Sequence, residues 1–356
     1  MGYAPGRMKA LLAAAAMGAL ALGTSAAKAD GQLTLLVWEG YADKTFVEPF
    51  EQETGCKVDA VYVGSNDEIV SKVMSGGGAA DLISPSNDTT MRLITAGAVS
   101  PIDTSKVPNM AEYLPQFQSP AWLKKDDALY GVPFGWGIIR IIADPAAVDP
   151  ATDTLGFLWD KKYAGKFSVW DDIETVYMAS RYLGFENTYD LSDEQLEQVK
   201  AKLIEMKPNI RKYWFTTGEM GTLMASGEVV GGNSWESTLV ELRAAGKKVL
   251  DLHPKEGRGG WSDSWMIVKG AEDNPCVYPW LNYAASAKTQ ALAHAVNGFG
   301  YPNPKMVDDL EGDARTNYAE LGMSDPTTLQ NIDWWQPVER RAKYLEIWNQ
   351  VKAASN

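Results

Sequence analysis

The chain is expected to fold as an α/β protein with parallel-rich sheets, and three features of its sequence predict this. Short apolar strands alternate with helical patterns across short loops, the order that builds βαβ units. The strands are continuous apolar runs, as in sheets buried on both faces, not alternating ones. About 327 residues follow an N-terminal leader, more than one core usually supports, so two domains are expected.

The first half carries the clearest units. Leu33-Thr34-Leu35-Leu36-Val37 is the first strand and ends in Trp38-Glu39-Gly40-Tyr41. Asp43 can cap a helix running to Thr54, and Gly55 can end it. Lys57 to Val63 reads as a second strand, and Asn66-Asp67-Glu68 opens a helix to Met74 that Gly76-Gly77-Gly78 breaks. Asp81-Leu82-Ile83-Ser84 is a third strand, followed by Pro85-Ser86-Asn87-Asp88 and a helix to about Thr95. Ligands of such sheets bind beyond the carboxyl ends of the strands, which is where Trp38-Glu39 and Ser86-Asn87-Asp88 fall.

A Pro-rich segment, Pro101 to Lys125, leads to Tyr130-Gly131-Val132-Pro133-Phe134-Gly135-Trp136-Gly137 and the apolar run Ile138 to Ala143, interrupted by Arg140. This reads as a crossover into a second domain. There the pattern predicts a strand at Lys166 to Trp170, helices to Leu183 and from Asp193 to about Met206, and a strand at Glu228 to Gly232. A helix from Trp235-Glu236 to Ala245 and a strand at Lys248 to Leu252 follow. Gly259-Gly260-Trp261-Ser262-Asp263-Ser264-Trp265 then sets two indoles around one carboxylate before Met266-Ile267-Val268. Its plain reading is a strand entry whose tryptophans fill the core. Its functional reading is a cation site, since an indole face and a carboxylate both attract cations, by up to about 2 kcal/mol per desolvated cation–π contact. Helices are expected from Pro275 to about Ser286, Lys288 to Val296 and Val338 to about Val351.

The leader has a basic start (Arg7, Lys9), an apolar Ala-rich run from Ala10 to Gly23, and Ala27-Lys28-Ala29 before Asp30. This is the pattern of a secretory signal peptide cleaved after Ala29, with Met1 or Met8 as the start. The run is shorter than the ~20 residues a spanning helix needs, so an exported, soluble protein is expected. The net charge is −13, and −16 without the leader. That charge argues against nucleic acid and anionic membranes and favours cationic ligands. Two cysteines, Cys56 and Cys276, suit one disulfide in an oxidising compartment. They and two histidines, His253 and His294, lack the spacing of a zinc site, and no cofactor is expected. Nucleotide, metalloprotease and serine-hydrolase motifs are absent. Asp171, Asp172 and Glu174 leave open a paired-carboxylate glycoside hydrolase, although acids opening a helix are usually caps.

An aromatic beside an acid recurs five times: Trp38-Glu39, Trp170-Asp171-Asp172, Trp235-Glu236, Trp261-x-Asp263 and Asp333-Trp334-Trp335-Gln336. Thirteen tryptophans make chance pairs common. Yet all five fall at expected strand ends or loops, and together they could cage an ammonium group.

Several stretches carry a family likeness: Val37-Trp38-Glu39-Gly40-Tyr41, Phe50-Glu51-Gln52-Glu53-Thr54-Gly55, Asp81-Leu82-Ile83-Ser84-Pro85-Ser86, the Tyr130 to Gly137 segment, Lys207-Pro208-Asn209-Ile210-Arg211, Pro254-Lys255-Glu256-Gly257, Gly300-Tyr301-Pro302-Asn303-Pro304 and Trp335-Gln336. In this order they resemble the periplasmic solute-binding proteins of ABC transporters, and among these the spermidine/putrescine-binding family. The resemblance covers nearly all of the chain after the leader. It implies a type II two-lobed periplasmic binding protein fold with crossover hinge strands. One lobe would comprise residues 30–140 with 262–310, the other 141–261 with 311–356. Cys56 and Cys276 would then share a lobe, which allows their disulfide.

The resemblance also implies a set of ligand contacts. Trp38, Trp235, Trp261 and Tyr301 would be aromatic contacts and Ser86 and Gln336 polar ones, with Asp172 and Asp263 as amine-binding carboxylates. The chain departs from the family pattern at Asp88, where a Tyr is usual, at Thr175, where a Glu is usual, and at Glu39, where a small hydroxyl is usual. Glu39 and Asp88 could therefore carry displaced charge sites. The expectation is a monomeric solute-binding component of an ABC importer, not an enzyme. It would take a small cationic amine such as putrescine or spermidine and hand it to a permease, without inserting in the membrane. A second expectation keeps the scaffold and uses Arg140 to hold the carboxylate or sulfonate of a zwitterion, such as γ-aminobutyrate or a betaine. A ferric site would need clustered tyrosines, and Tyr301 stands alone in its motif.

Overall fold

A computed structural model describes residues 1–2, 31–76, 80–323 and 332–355. Residues 3–30, with most of the leader and its cleavage site, and residues 77–79 lie outside the described residues.

The chain builds two mixed sheets and a short hairpin. Its strands are β1 (Gln32–Val37), β2 (Lys57–Tyr62), β3 (Leu82–Ile83), β4 (Val99–Ser100), the hairpin β5 (Lys124–Lys125) and β6 (Ala128–Leu129), then β7 (Val132–Ile138) and β8 (Arg140–Ala143). β9 (Phe167–Trp170), β10 (Ile210–Trp214), β11 (Gly231–Ser234), β12 (Leu250–Leu252), β13 (Arg258–Val268) and β14 (Ile332–Trp334) follow. The first sheet runs β14-β13-β3-β1-β2, with β4 and β7 also paired to β13; the second runs β10-β9-β11-β8-β12.

The pairings β1–β2, β1–β3, β9–β10 and β9–β11 are parallel, as the βαβ pattern requires. The antiparallel pairings belong to β13 with β3, β4 and β7, and to β8 with β11 and β12. These are the strands on either side of the two connections between sheets. The chain passes from the first sheet to the second at Ile139 and returns between Leu252 and Arg258. The end of the chain serves both: β14 pairs with β13, while helix Arg341–Ala353 packs on helix Asp193–Met206.

Local chemistry sets the boundaries. Asp43 accepts the amide of Thr45 at 2.8 Å and caps helix Lys44–Thr54, and Gly55 ends it at φ +84°, a conformation costly for a residue with a Cβ. Strand β11 starts later than Glu228 because Glu228 and Val229 turn back to bond Leu223. The Gly259 to Trp265 stretch lies inside β13, which is buried along almost its whole length. Among the elements without a counterpart in the sequence reading are β10, helix Thr217–Ala225 and helix Gly312–Glu320. The first helix of these carries a capping box from Thr216 and Glu219.

Cys56 and Cys276 form a disulfide with Cα atoms 5.9 Å apart and 220 residues of separation. It ties the start of β2 to the N-cap of helix Val277–Ala284. So long a loop constrains the unfolded chain strongly. Cys56→Ala/Cys276→Ala is expected to lower unfolding free energy by about 2–4 kcal/mol, read by urea denaturation with and without reductant; reductant should leave the variant unchanged.

Candidate functional site

The carboxyl ends of β1, β3 and β9 meet β13 around one small cavity. It is lined by Trp38, Glu39, Ser86, Trp170, Trp235, Trp261, Asp263, Phe299 and Trp335. All five aromatic-acid pairs of the sequence send a tryptophan here. Trp38 donates its indole N–H to the Ser84 carbonyl at 2.8 Å, which ties the ring to the loop after β3. Its ring meets Trp235 edge-on at 6.0 Å and Trp170 at 6.4 Å. Trp170 stacks with Trp214 at 5.6 Å and with Trp335 at 6.1 Å. Phe299 meets Trp261 edge-on at 4.7 Å. Trp261 fits because its antiparallel partner is Gly137, where a Cβ would lie 2.5 Å from the indole.

Asp263 is the one acid buried in this lining. The β13–β7 register shifts between Ser262 and Ser264: Asp263 alone stands opposite Phe134 and Gly135, so the extra residue of this bulge lies in β7 and the ladder is interrupted at Asp263. The Tyr41 hydroxyl donates to Asp263 Oδ2 at 2.6 Å. Its other oxygen, Oδ1, is buried and has no hydrogen-bond partner among the described residues. Burial pushes the Asp263 carboxyl up to about 7; Ser86 and Tyr41 offset this only in part, and Asp88 adds to it. The result is a desolvated acid with a free acceptor, walled by indole faces.

The remaining candidates lie elsewhere. Asp88 is buried and accepts Arg341 Nη1 at 2.6 Å. Arg341 also donates to Asp67 from Nε (3.0 and 3.1 Å) and from Nη2 (2.9 Å). Burial works against the Arg341 charge, but Asp88, Tyr177 and Asp67 raise its pKa well above the ordinary value. Asp172 is buried near this group and caps the Glu174 amide at 3.0 Å; burial pushes it up to about 7, with Arg341 opposing. Tyr301 is buried, with its hydroxyl on Asn297 and its ring against Phe134. Gln336 is exposed; its neighbour Trp335 lines the cavity instead. Sequence reasoning did not select Trp170, Phe299 or Trp335 as site residues, although Trp170 and Trp335 stood in the recurring aromatic-acid pairs.

Most acids of those pairs serve the fold. Glu236 and Asp251 hold Arg140, at 3.3 and 2.6 Å, and the Leu321 carbonyl accepts its Nη2 at 2.9 Å. Arg140 is thus committed to internal acids and offers no anchor for a ligand carboxylate. Glu174 pairs with Arg181 and accepts the Trp335 indole N–H at 3.0 Å, and Asp333 also pairs with Arg181. Asp171 accepts from Trp348 and Lys352, both at 2.8 Å. The hydrolase candidates Asp171, Asp172 and Glu174 are therefore engaged in three separate structural contacts. His294 is buried between the Phe299 and Ala314 carbonyls, and His253 is exposed. Among the described residues no group of three or more His, Cys, Asp and Glu could hold a metal ion, and no helix is long and apolar enough to cross a membrane.

Two mixed sheets joined by crossing strands, with an aromatic cavity where they meet, define a two-lobed ligand-binding protein. Residues 45–320 match the family model for bacterial extracellular solute-binding proteins, and the chain belongs to that family. It is 30% identical over 350 residues to the spermidine/putrescine-binding periplasmic protein of Escherichia coli K12, covering 95% of this chain and 97% of that protein. A putrescine/cadaverine-binding protein of Pseudomonas aeruginosa is 23% identical, over 97% of this chain and 99% of the relative. Among solved structures, the Tp0655 (TpPotD) lipoprotein of Treponema pallidum superposes with a TM-score of 0.76 at 22% identity, covering 90% of this chain and 99% of that one. PotD from Streptococcus pneumoniae gives 0.72 at 21% identity, with 91% and 99% covered. The fold is that of the two-lobed periplasmic binding proteins.

Arg341 and Asp88 are both buried, so removing one strands the other. Arg341→Met is expected to cost about 3–5 kcal/mol of unfolding free energy, measured by urea denaturation. A loss under about 1 kcal/mol, the size of an exposed pair, would contradict the assignment.

Proposed function

We propose that this chain is the extracytoplasmic solute-binding component of an ABC importer, and that it captures a polyamine of the putrescine or spermidine class at Asp263. The observation that carries the reading is the unpartnered Asp263 Oδ1, buried inside the indole cage. A buried carboxylate without a partner is costly; an ammonium group supplies both the hydrogen bond and the opposite charge. The tryptophan faces add cation–π attraction and apolar cover for methylenes. The names of the relatives, which bind spermidine, putrescine or cadaverine, support the same class.

In this reading the leader directs export to the periplasm and is cut after Ala29, and the protein acts as a monomer that docks on a permease. Residues 30–140 with 262–310 form one lobe and 141–261 with 311–356 the other. Trp38, Trp235 and Trp261 hold the ligand, with Ser86 beside Asp263 and Glu39 at the rim. Ligand contacts made only in the closed arrangement would shift the lobes toward closure. No catalytic role is assigned to any residue.

Two measurements test this. Asp263→Asn removes the charge with little change of shape, and calorimetric titration with putrescine and spermidine is expected to show about hundredfold weaker binding, the size of one charge-assisted hydrogen bond in a buried site. Affinity within about twofold of wild type would sink the assignment. Binding also requires ionised Asp263. Below about pH 7 the carboxyl is protonated, so affinity should fall about tenfold per pH unit there, with one proton released per ligand bound. Above pH 8 it should be flat. An affinity unchanged between pH 5.5 and 8 would contradict the role given to Asp263.

A further inference from the structure

The cage is too small for the whole ligand. Its free space is about 20 Å³, little more than one water-sized group occupies, which suits a single ammonium head. Directly beside it lies a second cavity of about 500 Å³. The two share Glu39 and Trp235 in their linings. The outer cavity repeats the chemistry of the inner one, with Tyr62, Phe215 and Trp235 as aromatic walls and Glu39, Asp43 and Glu68 as carboxylates. Tyr62 and Phe215 are 51% and 41% exposed, unusual for large aromatic rings unless something covers them.

Both sheets contribute to this outer cavity. Tyr62 ends β2 of the first, while Phe215 follows β10 of the second. Phe215 lies over Gly64, where a Cβ would be 1.9 Å from its ring. The absence of a side chain at 64 is what lets the two walls meet. Asp43 is occupied as a helix cap and Glu68 pairs with Lys72. Among the described residues no basic side chain pairs with Glu39, which is exposed at the junction of the two cavities.

Taking the polyamine reading as given, we infer that the ligand enters head first. One ammonium occupies the cage at Asp263. The rest of the chain runs past Trp235 into the outer cavity, where Glu39 with Tyr62 and Phe215 forms a second cation subsite. A single-headed amine could use only the inner site. The outer subsite would therefore distinguish diamines and triamines from monoamines.

The experiment compares wild type, Glu39→Gln and Phe215→Ala by calorimetric titration with spermidine, putrescine and n-butylamine. Glu39 is exposed, so the substitution does not threaten the fold. For each variant, spermidine affinity is expected to fall about tenfold more than n-butylamine affinity. Equal losses for the three amines, or none, would overturn the outer subsite while leaving the inner one standing. A wild type silent to putrescine and spermidine would overturn the polyamine reading and this subsite with it.

Discussion

The site depends on one buried carboxylate that is only half satisfied. Asp263 sits in β13 opposite a bulge in β7, with Tyr41 bonded to one oxygen and, among the described residues, nothing bonded to the other. A protein would ordinarily avoid this, because desolvating a charge without a partner costs several kcal/mol. The cost is tolerated where the missing partner arrives from outside. The raised pKa of Asp263 is the same fact in electrostatic form: without a cation beside it, burial favours the protonated acid.

The surroundings follow from that constraint. The extra residue of β7 breaks its ladder with β13 at Asp263, and Gly137 opposite Trp261 lets an indole lie flat where any Cβ would collide. Most other buried charges near the cage are paired, Asp88 with Arg341, Glu236 with Arg140, Glu174 with Arg181, while Asp172 is spent on capping the Glu174 amide. That contrast singles out Asp263. It also shows why an acidic chain does not make every acid a ligand contact. Arg341 reaches from a helix packed against the second sheet's layer to Asp67, in the first turn of a helix of the first, and to Asp88, in the loop after β3, so the pairing that removes Asp88 from the cage also ties the two halves together.

Much of this was legible in the sequence. The β–α alternation, the Asp43 and Gly55 helix ends, and the placing of Trp38 and Ser86 at strand ends all follow from local pattern. The five aromatic-acid pairs marked the tryptophans well, because large indoles at strand ends have few places to go but the core or a cleft. Their acids were less readable. Whether Asp88 or Asp172 faces a ligand depends on Arg341, which is 253 residues from Asp88, and no local rule announces such a pair. Arg140 was ambiguous for the same reason until Asp251 and Glu236 were seen around it. Strand β10 escaped notice because Arg211 and Lys212 make it look like a loop after Pro208, and helix Thr217–Ala225 because Gly218 and Gly221 weaken its pattern. The Thr216–Glu219 capping box was the missed signal.

The most direct test of the account is a crystal structure of the refolded protein with spermidine. The account predicts one terminal ammonium within about 3 Å of Asp263 Oδ1, inside the ring of Trp38, Trp170, Trp235, Trp261 and Trp335, with the chain leaving past Glu39 toward Phe215. A ligand bound away from Asp263, or an Asp263 still hydrogen-bonded only to Tyr41 in the complex, would contradict it.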